Sequence, residues 1–198
     1  MKIKALLPVF SAVLIMSSCN FVEQDKEAIK IDTYFDLAGL LDQQADLWMA
    51  RGVKVEKVLT TNAREETVIV DVTDRKQLTD ELNLFYEADI NKVGLGDAYI
   101  IEELPAVFGQ RKLVNSARSK KQKVRLLEFN YDQEKLTQIR ILVEDKNSVY
   151  TFEKEMLIDF ETINGEEVLT GYSITGKQDM VLKSELNFSL KGRLLPNQ

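Results

Sequence analysis

Three carboxylate doublets, Glu65-Glu66, Glu102-Glu103 and Glu166-Glu167, are the first side chains in this sequence whose spacing suggests chemistry. Two carboxyl groups about 5–9.5 Å apart can cleave a glycosidic bond between them. Adjacent residues of a strand point to opposite faces, so no doublet converges by itself and solvated turns or edges explain them better. Asp71-Val72-Thr73-Asp74 and Asp89-Ile90-Asn91 offer oxygen ligands without the fixed steps and turn glycine of a calcium loop. Asp74 reads instead as a helix N-cap. Gly94-Leu95-Gly96-Asp97 lacks the third glycine, the Lys-Ser/Thr and the strand–loop–helix order of a phosphate loop, and reads as a turn. The chain contains no histidine, which removes Ser–His–Asp triads, Cys–His dyads and histidine-based zinc sites. Neither a catalytic residue, a metal site nor a cofactor is expected.

Cations are concentrated in one place. Arg111, Lys112, Arg118, Lys120, Lys121 and Lys123 fall within 13 residues of an acidic chain. They are candidate contacts for anionic headgroups, cell-wall carboxylates or an acidic protein partner. Residues Gly109 to Gln122 show little periodicity, so a long loop is expected there. The net charge is −6. A surface of that sign argues against nucleic acid, which requires a basic footprint.

One cysteine is present, Cys19. It cannot form an internal disulfide, so it is free, intermolecularly paired or modified. Ahead of it stand a basic start, Met1-Lys2-Ile3-Lys4, an apolar run from Ala5 to Met16, and Ser17-Ser18. Twelve apolar residues in a helix rise about 18 Å, short of the roughly 30 Å hydrocarbon core, and fit a secretory signal better than a membrane span. Met16-Ser17-Ser18-Cys19 resembles the lipobox of bacterial lipoproteins, with Met16 where Leu is usual. The resemblance implies a signal peptide over residues 1–18, cleavage between Ser18 and Cys19, and a diacylglycerol on the Cys19 sulfur. Loss of Lys2 and Lys4 would take the net charge to −8. Each buried methylene contributes about 0.8 kcal/mol, and two or more acyl chains anchor durably. Asn20 lacks the charge of the Asp that, in that family, accompanies inner-membrane retention, so the outer membrane is expected. Residues 19–30, with Glu23-Gln24-Asp25-Lys26-Glu27, read as an acidic tether. From Asn20 to Lys30 it spans at most about 36–40 Å.

Residues 31–198 read as a single α+β domain: a curved antiparallel β-meander of about seven to eight strands with two helices packed on one face. Thr33 with Asp36 suggests a capping box. Tyr34, Leu37, Leu41, Ala45 and Trp48 then share a helical stripe ending at Gly52. Val53–Leu59 and Thr67–Val72 suggest a hairpin. The second helix starts at Asp74 and buries Leu78, Leu82, Phe85 and Tyr86. Strands follow at Ala98–Leu104, stopped by Pro105, then Val124–Tyr131, Leu136–Glu144, Val149–Glu153, Met156–Thr162 and Val168–Thr175. Gly176–Asp179 is expected to turn. A last strand has Met180, Leu182, Leu186, Phe188 and Leu190 on one face and Val181, Lys183, Glu185, Asn187, Ser189 and Lys191 on the other. Phe129, Tyr131, Tyr150, Phe152, Phe160 and Tyr172 are expected to be core and cross-strand pairs.

These features suggest a non-catalytic accessory lipoprotein with a scaffold or partner-binding role at the outer membrane. The alternative is a carrier of an apolar ligand in the sheet's concavity, an architecture similar to periplasmic lipoprotein carriers, although fold alone does not carry function. Trp48 and Leu41 are the residues expected to plug that concavity.

Overall fold

The computed structural model describes residues 33–62, 64–181 and 183–196. The signal segment, Cys19 and the tether lie outside the described residues. Helix α1, Leu37–Arg51, is capped by Asp36, whose carboxylate accepts from the Gly39 N–H at 2.8 Å. The cap therefore lies three residues beyond Thr33. Gly52, at φ 69°, ends the helix in the left-handed region open to glycine.

A hairpin of β1, Val53–Thr61, and β2, Glu65–Val72, comes next. The second helical stretch is broken at Leu82 into α2, Arg75–Glu81, and α3, Asn83–Glu87. Asp74 caps α2 by accepting from the Gln77 N–H, and Gln77 accepts from the Thr73 N–H in return. The meander then runs through β3 Tyr99–Val107, β4 Gln110–Ala117, β5 Val124–Asp132, β6 Lys135–Lys146, β7 Tyr150–Ile163, β8 Glu166–Met180 and β9 Lys183–Pro196.

All nine strands form one open antiparallel sheet in the order β2-β1-β9-β8-β7-β6-β5-β4-β3. β3 to β9 neighbour one another in sequence order, and the β1–β2 hairpin joins the free side of β9. The link from β2 to β3 must therefore cross the sheet from one edge to the other. It carries α2, α3 and residues 88–98 along the helix-covered face. Topology thus places the helices where the apolar face needs covering.

The α+β class, the curved meander and the helical layer agree with the sequence reading, but several boundaries differ. The described residues form nine strands and three helices. Residues 110–117, expected to be loop, form β4. β7 runs through Glu153-Lys154-Glu155 because Glu153 and Glu155 face away from the helices. β3 continues past Pro105 by a bulge between Leu104 and Val107. The expected turn at Gly176–Asp179 lies within β8, and the hairpin turn falls at Val181, inside the expected last strand. The reason at Gly176 is steric: a Cβ there would collide with the Phe188 ring. Glycine here seats an aromatic ring instead of making a turn.

Candidate functional site

The helix-side face of the sheet is filled. Leu37, Leu41, Ala45 and Trp48 of α1 are buried, as are Leu78, Leu82 and Phe85 of the crossing segment. β9 pairs with β8 only from Gly171 onward, which leaves backbone groups of Glu167 and Leu169 on that side without ladder partners. Helix α1 supplies them. Gln44 Nε2 donates to the Glu167 carbonyl at 2.9 Å, the Leu169 N–H donates to Gln44 Oε1 at 2.8 Å, and Trp48 Nε1 donates to the Leu169 carbonyl at 2.7 Å. Gln44 and Trp48 are four apart, hence on one helical face. Trp48 is thus tied to β8, and Leu41, on the same apolar stripe, is fully buried in the core.

A second clamp fastens α2. The Tyr172 hydroxyl donates to the Glu81 carboxylate, which also takes Lys57 Nζ at 2.8 Å. Burial, reinforced by Glu81, pushes the Tyr172 phenol above its ordinary range. Gly192 makes room for the Tyr172 ring, since a Cβ there would overlap it. Phe85 meets the same ring edge-on at 5.6 Å.

The six cations do not form one loop cluster. Arg111 and Lys112 lie on β4, and the strand carries them away from the other four. Arg111 bonds Glu103 at 3.0 Å and Glu134 at 3.2 Å, and its guanidinium lies 4.1 Å from the centre of the Tyr131 ring. Lys112 pairs with Glu128 at 3.1 Å, and Lys123 with Asp145 at 2.7 Å. Arg118, Lys120 and Lys121 remain at the β4–β5 turn with no ion pair among the described residues. The long loop expected over residues 109–122 is thus replaced by a strand and a short basic turn. The reason is that β4 pairs on both sides, with β3 and β5.

The carboxylate candidates are engaged elsewhere. Glu103 pairs with Arg111, Glu166 with Arg51 at 2.7 Å, and Glu65 accepts from Thr60. The Asn91 side chain is taken up by the backbone of Tyr34 and Phe35. The carbonyls of Leu95 and Gly96 accept from the Tyr34 hydroxyl, each at 2.8 Å, so the Gly94–Gly96 turn is tied to the start of α1. Among the described residues no group of three or more acidic, cysteine or histidine side chains is placed to hold a metal ion.

Two grooves lie on the opposite face, away from the helices. Leu142, Glu155 and Thr175 face that side, because their neighbours Ile141, Met156 and Ile174 are buried. With Arg140, Glu144 and Lys177 they line a groove of about 630 Å³. Ion pairs Arg140–Glu155 at 2.5 Å and Lys177–Glu185 at 2.8 Å neutralise its charge. A second groove, about 500 Å³, lies over Asp159, Ser173, Lys191 and Arg193. Both are open troughs, with walls built largely from charged and polar residues.

What distinguishes this molecule is its pair of sheet edges. β3 is interrupted by Pro105 and a bulge, and it ends at a two-residue turn whose Phe108 and Gly109 both have positive φ. Bulges and prolines are devices that keep an edge from pairing with another strand. β2 has neither. Its eight residues match β1 in unbroken register from Val72 opposite Val53 to Glu65 opposite Thr60. Val68 is 53% exposed and Ile69 59%. The Thr61 N–H donates to the Arg64 carbonyl at 2.8 Å, so that pair is hydrogen-bonded. Alternation along an antiparallel ladder then points the N–H and C=O groups of Glu65, Thr67, Ile69 and Asp71 away from β1. The sequence analysis missed this site. Val68-Ile69-Val70 looks like buried strand, and only its acidic flanks hint at solvent.

Comparison with known proteins gives no match: no family model, no curated protein and no solved structure resembles the chain.

Proposed function

We propose that this chain is a non-catalytic accessory lipoprotein of the outer envelope, held to the membrane by lipid on Cys19, which binds a partner protein along β2. The observation that carries the partner-binding half is the regular, exposed, unprotected β2 edge beside a plugged concavity. Exposed edges of this kind accept an extended segment of another chain, main-chain hydrogen bonds supplying affinity and side-chain pockets specificity. The anchoring half rests on Met16-Ser17-Ser18-Cys19, and the choice of membrane on Asn20.

The test is a photo-crosslinking residue placed at Ile69 or at Ile101 in intact cells. The expected result is a defined adduct from Ile69 and none from Ile101. Radiolabelled fatty acid should appear on the wild type and vanish with Cys19→Ala, which should also leave the envelope fraction. Adducts from Ile101 alone would overturn the choice of edge, and a Cys19→Ala protein that still sediments with envelopes would overturn the anchor.

A carrier of an apolar ligand is the second reading, and a specific patch favours it. Beyond the plug, Phe152 stacks on Phe188 with ring centres 6.3 Å apart, and Leu186 and Leu59 are exposed. Lys154 stands 5.8 Å from the Phe152 ring, its pKa lowered by burial. Retention of a fluorescent fatty acid that Lys154→Met abolishes would support this reading, and no retention by the wild type would remove it.

A further inference from the structure

The chemistry of the β2 edge points to the occupant, an inference that rests on the partner-binding reading and narrows it. We infer that β2 accepts an extended peptide segment with an apolar middle and basic ends, which adds a tenth strand to the sheet.

Three features carry the inference. The first is the backbone: four residues of β2 present unpaired donors and acceptors to the outside, in a register with no bulge to bend them away. The second is the apolar centre, Val68 on the helix side and Ile69 on the far side, so an added strand gains contacts on both faces. The third is charge. From Glu65 to Asp74 the chain has four carboxylates, Glu65, Glu66, Asp71 and Asp74, and no cation. Three of them lie within β2, two at its start and one near its end. Lys54 is 3.4 Å from Asp71, but both side chains are largely in water, so the pair screens that carboxylate only in part.

The same arrangement disfavours a second copy of this chain. Outward-facing residues must oppose one another, so antiparallel self-pairing centred on Val68 would set Glu65 of each copy opposite Asp71 of the other. Like charges directly opposite destabilise a pair of strands. A strand with lysine or arginine at both ends meets the opposite condition. β2 is thus open to strand addition, unfavourable to its own copy in that register and complementary to a cationic segment.

The experiment uses the full-length lipidated protein in detergent and three fluorescein-labelled ten-residue peptides, read by anisotropy. All three have alternating valine and threonine in the middle. One has two lysines at each end, one has two glutamates at each end, and the third is the lysine peptide with a central proline. The lysine peptide is expected to bind at least about tenfold more tightly than either of the others. Two variants sharpen the result. Ile69→Pro removes an outward N–H without touching a bond to β1 and should abolish binding. The double reversal E66K/D71K spares the apolar centre, so it keeps the test alive if the proline variant misfolds. It leaves two carboxylates against two lysines over residues 65–74, so it should abolish the preference between the lysine and glutamate peptides.

Equal binding of the lysine and glutamate peptides by the wild type would overturn the inference, as would binding unaffected by a central proline. A dimer that Ile69→Pro dissolves would make a second copy the occupant and overturn it as well. Crosslinks from Ile69 in cells with no peptide preference in vitro would remove the cationic-strand chemistry and leave partner binding at β2. Loss of both would remove both.

Discussion

At one edge of the sheet, β3 carries Pro105 and a bulge and ends in a turn capped by a fully exposed Phe108. At the other, β2 lies in unbroken register with β1, exposing Val68 and Ile69 between acidic ends. Both strands belong to the same sheet and both are mostly exposed, yet only β3 has a proline and a bulge. An edge strand without them is a template for another chain. The difference locates the surface at which a partner can add without disturbing the core. It also locates the surface at which one is excluded, although β3 has the larger share of exposed apolar residues.

The comparison depends on a sheet held together from its centre, and breaking that centre has the largest effect. Trp48→Ala removes a buried ring and leaves the Leu169 carbonyl without its donor. A loss of about 3–5 kcal/mol in urea unfolding is expected. In the variant the two edges should exchange their amide hydrogens alike, because both are then governed by global opening.

Alkaline pH separates the edges more gently. Tyr99 roots β3, buried at its first position beside Tyr34, and burial pushes its phenol up to about 12. Tyr86 is raised to about 12 as well, by burial and then by Asp42. A raised phenol binds its proton more tightly in the folded chain than in the unfolded one. The stabilisation is therefore complete below pH about 10, the ordinary tyrosine value, and lost as pH rises through about 12. β2 contains no tyrosine. Thermal unfolding followed from pH 9 to 12 should show a falling midpoint, and Tyr99→Phe should flatten that fall.

Phe108 is expected to weaken the β3 edge from within. Its φ is 53°, a region that disfavours L-residues with a bulky side chain, and its ring contacts nothing that would compensate. Asn164-Gly165 makes a comparable turn with residues suited to it. Phe108→Asn should raise stability by about 1 kcal/mol. A loss instead would mean that Phe108 makes a contact of its own. The smallest change in stability is expected for Pro105→Thr, within about 0.5 kcal/mol. Its consequence should appear as concentration-dependent association in light scattering, since β3 then gains a donor along its edge. A protein that stays monomeric would show that the bulge alone protects β3.

Much of the fold was legible because burial imposes periodicity. Leu37, Leu41, Ala45 and Trp48 recur at helical steps, and all are buried. Phe188 and Leu190 of β9, expected on the core face, pack against the core, whereas Leu186 of the same face is exposed. What was not legible depended on distant partners. β4 is rich in polar and basic residues because its neighbours supply the packing, so residues 110–117 looked like loop. Gln44 is polar on a buried face, and it makes sense only beside the Glu167 and Leu169 backbone of β8 more than 120 residues away. The β2 edge was hidden for the same reason. Periodicity says which side of a strand faces the core, but not which strand lies last. That depended on β1 pairing with β9 at the far end of the chain.

The most direct test is amide hydrogen exchange along β2, resolved residue by residue. The N–H groups of Val68 and Val70 bond to β1 and should be protected, while those of Thr67 and Ile69 face outward and should exchange at least about tenfold faster. Equal protection of all four would show that this edge is already covered, and would remove the open β2 on which the proposed strand addition depends.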